Sequence, residues 1–166
     1  MRDLPGRDWI TNGAQFAPTH HRRPTIQDPH AAPADREAFT NGWFVDAMPD
    51  LNQRNPHLAR YLIQNTLWWI EYAGLSGIRE DTFGYADTQF LSEWAKAVLD
   101  EYPHFAMVGE EWSINPAVVA HWQRGKQNAS GHAPHMPSMM DFPVHIALRN
   151  ALAQPEGPET GWVGLY

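Results

Sequence analysis

The chain has 166 residues, of which 43% are hydrophobic, enough for one domain with a real core. Its net charge of −7 argues against a nucleic-acid or anionic-membrane surface, because both need clustered Lys and Arg. The absence of Cys excludes disulfides and thiolate catalysis and leaves the cellular compartment open. No apolar run reaches about 18 residues and the first residues lack a signal-peptide pattern, so no membrane insertion is predicted and the localisation stays unknown.

Residues 1–42 lack helical or strand periodicity and contain five prolines, which predicts a long irregular excursion. Residues 43–52 are predicted to be extended and to close this loop, so 1–52 form one irregular segment and 53–166 a second unit. His20 and His21 suggest a metal site, but no second ligand pair lies at a metal-site spacing. A polar loop is therefore the favoured interpretation.

A helix is predicted after residue 55. Asn55 is a good N-cap residue, Pro56 suits the first helical position, and Gly74 suits the C-terminal stop. The apolar positions that share one face of this helix predict packing against a sheet. They are Leu58, Leu62, Trp69 and Tyr72.

Three short strands alternate with helices in the rest of the chain. Asp87 is predicted to cap a helix that ends at Tyr102, and Asn115 to precede a third one. The predicted strands are 75–81, 104–110 and 138–142, and the later helices are 117–122 and 144–152. The stretch 125–137 is polar.

Strands joined by crossover helices are parallel neighbours, which predicts an α/β sheet, either a barrel or a doubly wound sheet. Three strands are too few to close a barrel, which takes about 250 residues. No Gly-rich phosphate loop follows a strand, which weakens the nucleotide-binding alternative. Carboxylates at strand C-terminal ends favour part of a barrel. Both chain ends stop without an element boundary, which suggests a piece of a longer protein.

Asp81 and Glu110 are 29 positions apart, about one strand–helix–strand unit, so both carboxylates are expected at one rim of the sheet. Arg79 lies on the same strand face as Asp81 and would keep it ionised, whereas Glu80 points to the opposite face. Desolvation beside Trp112 would raise the pKa of Glu110, as a general acid needs. Such a pair fits retaining glycosidic cleavage. Taken alone, the same residues also fit a structural ion pair and a helix N-terminal charge.

Three segments together resemble glycoside hydrolase family 13, the α-amylase family, and most of all its neopullulanase and cyclomaltodextrinase branch. Gly-Ile-Arg-Glu-Asp-Thr-Phe-Gly-Tyr at 77–85 is similar to the family's second conserved region. Val-Gly-Glu-Glu-Trp at 108–112 is similar to the third, and Met-Pro-Asp-Leu-Asn at 48–52 to the segment that ends the domain inserted after barrel strand three. The resemblance implies a TIM (β/α)8 barrel in which the three strands are numbers four to six.

The resemblance also implies roles for single residues. Asp81 would be the nucleophile and Glu110 the general acid and then base. Arg79 would orient Asp81 and contact the sugar, Trp112 would be a stacking platform, and Tyr85 would contribute to substrate binding. Trp112 as a packed core residue is the alternative.

The chain departs from the family pattern in several places. The first and fourth conserved regions are absent, and with them the third catalytic acid. Glu80 replaces an apolar residue, and a buried charge there is costly. Tyr85 stands where the family often has a calcium-binding His, and Asp50 alone does not form a site, so neither calcium nor another cofactor is expected.

The sequence thus predicts an α-glucan hydrolase acting with retention on α-1,4 links, with little activity in this chain alone. A non-catalytic α-glucan-binding fragment is the alternative. A metal-dependent barrel hydrolase that uses the loop histidines is a third hypothesis.

Overall fold

A computed structural model describes residues 6–126, 131 and 133–165. A parallel three-stranded sheet lies at its centre, in the order β1 (Gly77–Glu80), β2 (Ala106–Gly109) and β3 (Ser138–Met139). Gly77 pairs with Ala106 and Val108 pairs with Ser138 in this register. The predicted parallel order is confirmed, although each strand is shorter than expected.

In the described ranges, five α-helices surround or precede the sheet. They are α1 (Pro33–Thr40), α2 (Pro56–Ala73), α3 (Thr88–Glu101), α4 (Pro116–Ala120) and α5 (Phe142–Ala153). Short 3-10 helices lie at Arg7–Trp9, Thr11–Ala14, Arg23–Thr25, Phe83–Tyr85 and Gly161–Leu165. None of the helices in the described part of the chain is long and apolar enough to cross a membrane. Part of the polar stretch 125–137, namely 127–130 and 132, lies outside the described residues.

The predicted helix ends are confirmed where local chemistry marks them. The Asn55 side chain accepts hydrogen bonds from the first turn of α2, and Gly74 ends this helix with a left-handed φ of 61°. The Asp87 side chain accepts from the backbone N–H of Phe90 at the start of α3. Tyr102 follows the last residue of that helix, as predicted.

Residues 1–42 are not irregular throughout, and that prediction is wrong for α1. Pro33 occupies its first turn, where a missing N–H costs nothing, and Asp35 adds an acidic group near the helix N-terminus. Phe39 anchors the helix in the core at 1% exposure. The other prolines of the segment lie outside this helix.

The core forms between the sheet, α2 and α3. Its largest members include Phe39, Trp94, Trp122 and Met136, and Leu62, Ile63 and Leu67 of α2 pack against it. The predicted buried face of α2 is only partly correct. Leu58 is buried, but Trp69 is 46% exposed and Tyr72 is 71% exposed. Ile70 is buried as well, at 5% exposure, so the buried side of α2 runs through Leu58, Leu62 and Ile70 and leaves Trp69 and Tyr72 toward solvent.

Candidate active site at the carboxyl end of the sheet

Arg79, Asp81 and Glu110 meet at the carboxyl end of β1 and β2. Arg79 Nη1 lies 2.9 Å from Asp81 Oδ1, and Arg79 Nη2 lies 2.6 Å from Glu110 Oε1. The strands bring them together because parallel neighbours end at one rim, and the Glu110 N–H donates to the Glu80 carbonyl oxygen at 3.0 Å. One guanidinium therefore bridges the two carboxylates that the sequence singled out.

Glu110 is buried, with 6% of its surface exposed, and burial acts to raise its pKa. Hydrogen bonds outweigh that effect. The backbone N–H of Thr82 donates to Oε2 at 3.0 Å, and the indole of Trp112 donates to Oε1. The Asp81 carboxyl and the Arg79 charge act in the same direction, and the pKa of Glu110 falls to about 2. The prediction of a raised pKa is therefore wrong for the ligand-free site, because desolvation is only one of the influences on this carboxylate.

Trp112 is an exposed tryptophan beside the acid. It is 59% exposed and its ring lies 5.4 Å from that of Phe142. It also borders a cleft of about 830 Å³, whose other walls come from residues 21–35 and 113–114. Trp112 is therefore not a packed core residue, which was the alternative considered from the sequence. An exposed indole at a cleft has a face available for stacking.

Tyr85 forms an aromatic cluster with side chains of residues 1–52, which we call the early segment. Its ring lies 4.7 Å from Phe39 and 5.3 Å from Phe44. Its hydroxyl is hydrogen-bonded to His21 Nδ1 at 3.1 Å, and burial raises its pKa. The structure thus brings Tyr85 near the site, but its observed contacts attach the early segment to the loop after β1.

The two loop histidines have different partners. His20 Nε2 is hydrogen-bonded to the Asp35 carbonyl oxygen at 3.0 Å, whereas His21 contacts Tyr85. Within the described ranges, no group of three His, Cys, Asp or Glu is arranged to hold a metal ion. The hypothesis of a metal-dependent hydrolase therefore gains no support from these residues.

Burial also raises the pKa of Glu80 and Asp50. Glu80, on the face opposite Arg79, is half-buried, and burial followed by the nearby Asp81 charge raises its pKa. Burial raises the pKa of Asp50 to about 7, against opposing effects of Thr11 and Arg54. Among the described residues, the buried Oδ2 atom of Asp50 has no hydrogen-bond partner. Asp50 is thus a buried carboxyl whose pKa lies near neutral pH.

Glu111, which directly follows the predicted acid, is a buried residue that was not predicted from the sequence. It is 3% exposed, and its Oε1 lies 3.5 Å from Arg23 Nε. The Trp122 indole donates to its Oε2 at 3.3 Å, and burial raises its pKa. A Cβ at Gly84 would lie only 2.7 Å from Oε2. No local signal marks this cluster, since its members come from four separate segments.

Similarity to known proteins covers most of the chain. It is 34% identical over 156 residues to a cyclomaltodextrinase of Geobacillus thermopakistaniensis, covering 92% of this chain and 24% of that protein. It is 30% identical over 115 residues to an intracellular maltogenic amylase of Bacillus subtilis, covering 68% and 19%. The chain thus spans about a quarter or less of the length of these relatives. No protein-family model matches it.

Solved structures give the same assignment. An α-amylase of Geobacillus thermoleovorans, complexed with acarbose, superposes with a TM-score of 0.68 at 27% identity, over 92% of this chain and 29% of that one. An Anoxybacillus α-amylase superposes with a TM-score of 0.65 at 26% identity, over 87% and 27%. Sequence and fold agree over the same stretch that carries Arg79, Asp81 and Glu110. The chain belongs to the α-amylase family, glycoside hydrolase family 13.

Proposed function

We propose that the chain is part of a retaining α-glucan hydrolase that cleaves α-1,4-glucosidic bonds in maltooligosaccharides, cyclodextrins or pullulan. The observation that carries the proposal is the pair of carboxylates, Asp81 and Glu110, bridged by Arg79 at one rim of a parallel sheet. The names of the relatives support the glucan class of substrate. The three strands would be strands four to six of a (β/α)8 barrel, and residues 1–52 the end of an inserted domain.

Asp81 and Glu110 would divide the two chemical roles. Asp81 is 65% exposed at its side chain and is paired with Arg79, so a carboxyl oxygen is accessible for attack on the anomeric carbon. The attack forms a glycosyl ester while Glu110 gives a proton to the leaving oxygen. Glu110 then takes a proton from the water that hydrolyses the ester.

Glu110 needs a proton for this role, and its low pKa in the free site opposes that. Glucan binding would supply the change, because a sugar ring between Arg79 and Glu110 weakens the ion pair that stabilises the carboxylate. A ring stacked on Trp112 would also exclude water from Glu110, and loss of water disfavours the charged form of a carboxyl. Both effects raise the pKa of Glu110 when substrate is present.

Covalent trapping tests the nucleophile. A fluorinated maltosyl fluoride forms a long-lived ester on a retaining nucleophile, which peptide mass spectrometry locates. Prolonged incubation lets the ester accumulate despite the little turnover expected of this chain, and we expect the label on Asp81 and none in Asp81→Asn. Labelling elsewhere would contradict the assignment, as would equal labelling of both proteins.

A non-catalytic glucan-binding fragment remains the second candidate, because exposed Trp112 borders the cleft. Calorimetry with maltotriose separates the two. Binding that is lost in Trp112→Ala and unchanged in Glu110→Gln, with no covalent label in the wild type, would favour this candidate. We also expect little turnover of maltotriose by the 166-residue chain alone, and turnover that Asp81→Asn abolishes would contradict that expectation.

A further inference from the structure

Glu110 and Glu111 are neighbours, but their carboxyl groups have different sets of partners. Glu110 contacts Arg79, the Thr82 N–H and the Trp112 indole. Glu111 contacts Arg23 and the Trp122 indole. The backbone just after β2 is therefore held in place by the contacts of two consecutive side chains, those of Glu110 and Glu111.

Arg23 comes from the early segment, in the 3-10 helix Arg23–Thr25, and borders the same cleft as Trp112. Its side chain is one-third exposed, while that of Glu111 is 3% exposed. A buried carboxylate is costly without a cation, so this pair fixes where the early segment sits on the loop after β2. Tyr85, whose pKa is influenced by both Arg23 and Glu111, stands beside the pair.

The space around Glu111 is also closely filled. A Cβ on Gly84 would meet Glu111 Oε2 at 2.7 Å and Trp122 at 3.1 Å, so only glycine leaves room for the carboxylate in its present place. The Trp122 ring in turn packs edge-on against Phe83, 5.6 Å away. The loop after β1 thus supports the Glu111 side chain from a second direction.

We propose that Arg23 and Glu111 are positioning residues for Glu110: their ion pair fixes the backbone at 110–112, on which the hydrogen bonds of Glu110 depend. The proposal deepens the proposed function and rests on it only for the chemical role of Glu110. Neither Arg23 nor Glu111 is assigned contact with the reacting atoms.

The Trp112 indole N–H gives a direct readout, because it donates to Glu110. In ¹H–¹⁵N spectra, assigned with Trp112→Phe, this resonance follows the ionisation of Glu110. Wild-type Glu110, with a pKa of about 2, should leave it unmoved between about pH 7 and pH 4. The readout needs no catalysis, so failure of the trapping experiment and failure of this one are distinguishable.

Glu111→Gln is the main variant, since it removes a charge and keeps the shape. Loss of a neighbouring negative charge alone lowers the pKa of Glu110, whereas loss of its hydrogen bonds raises it. We expect a rise of at least about one unit, seen as a Trp112 titration that appears above pH 3. An unchanged or lower midpoint would overturn the proposal.

Arg23→Met should have the same effect, and Arg23→Lys should restore most of the wild-type behaviour. Arg22→Met is the matched control, since Arg22 is exposed and lines the same cleft; its Trp112 resonance should stay at the wild-type position. An equal effect of Arg22→Met would overturn the proposal. So would unfolding of both Glu111→Gln and Arg23→Lys, because the pair would then be purely structural.

Discussion

Replacing Gly84 with Ala places one methyl group against the Glu111 carboxylate. The new Cβ would lie 2.7 Å from Glu111 Oε2, roughly 1 Å short of a comfortable separation. Forcing extra volume into a packed site costs about 1–3 kcal/mol. The carboxylate can retreat only by weakening its contacts at 3.3 Å to Trp122 and 3.5 Å to Arg23, which favours the upper half of that range.

An opposing effect lowers the net cost. Ala restricts the unfolded chain more than Gly does, which returns about 0.4–1 kcal/mol. We therefore expect Gly84→Ala to lower the free energy of unfolding by about 1–2.5 kcal/mol. Urea unfolding followed by tryptophan fluorescence measures this, with the m-value unchanged.

Two comparisons test whether the cost of Gly84→Ala arises from its contact with Glu111. Gly164→Ala should cost little, since the nearest atom to its Cβ is 3.5 Å away. In a Glu111→Ala background, Gly84→Ala should cost at least about 1 kcal/mol less, because the close contact has been removed. An equal cost in both backgrounds would refute the reasoning, since the strain would then not involve Glu111.

Three further predictions concern one helix N-cap and two carboxyl groups. Asn55→Ala should lower the free energy of urea unfolding by about 1–2 kcal/mol, because Asn55 caps α2 and also donates to Asp8 at 2.7 Å. Asp50→Asn should gain in stability relative to wild type as pH rises from about 4, with the gain levelling off above about pH 7, because the folded pKa of Asp50 is raised. Glu110→Gln should be less stable than wild type above about pH 4.5 and approach it as pH falls toward 2, because the folded pKa of Glu110 is lowered. A pH-independent difference in either carboxyl variant would contradict its prediction.

Local chemistry made much of the fold predictable. Asn55, Gly74 and Asp87 each mark a helix end by a side-chain or backbone preference that needs no distant partner. The meeting of Asp81 and Glu110 followed from parallel-strand geometry alone. The helix ends depend on neighbours in sequence, and the carboxylate pair depends only on the regular geometry of a strand–helix–strand unit.

Features that depend on distant partners were missed. The low pKa of Glu110 arises from the Thr82 N–H and the Asp81 and Arg79 side chains on the neighbouring β1 and its loop, together with the nearby Trp112 indole. Desolvation alone, which is what the sequence suggested, therefore gave the wrong direction of the pKa shift. The buried Glu111 is paired with Arg23, which lies far away in the chain, so its role was not visible from the local sequence. Helix α1 was overlooked because nearby prolines suggested a loop, although Pro33 itself suits a helix start.

The two adjacent carboxyls also set a condition on proton supply. Burial raises the pKa of Glu111, whereas hydrogen bonds and the Arg79 charge lower that of Glu110, so under the proposed roles a carboxyl that favours a proton directly follows in sequence the one that would need it. Yet Glu111 is enclosed by Arg23 and Trp122, whereas Glu110 is bordered by Arg79, Asp81 and Trp112, all of which are exposed. Under the proposed roles, a proton for Glu110 would therefore come from solvent on the side of these exposed residues and not from Glu111.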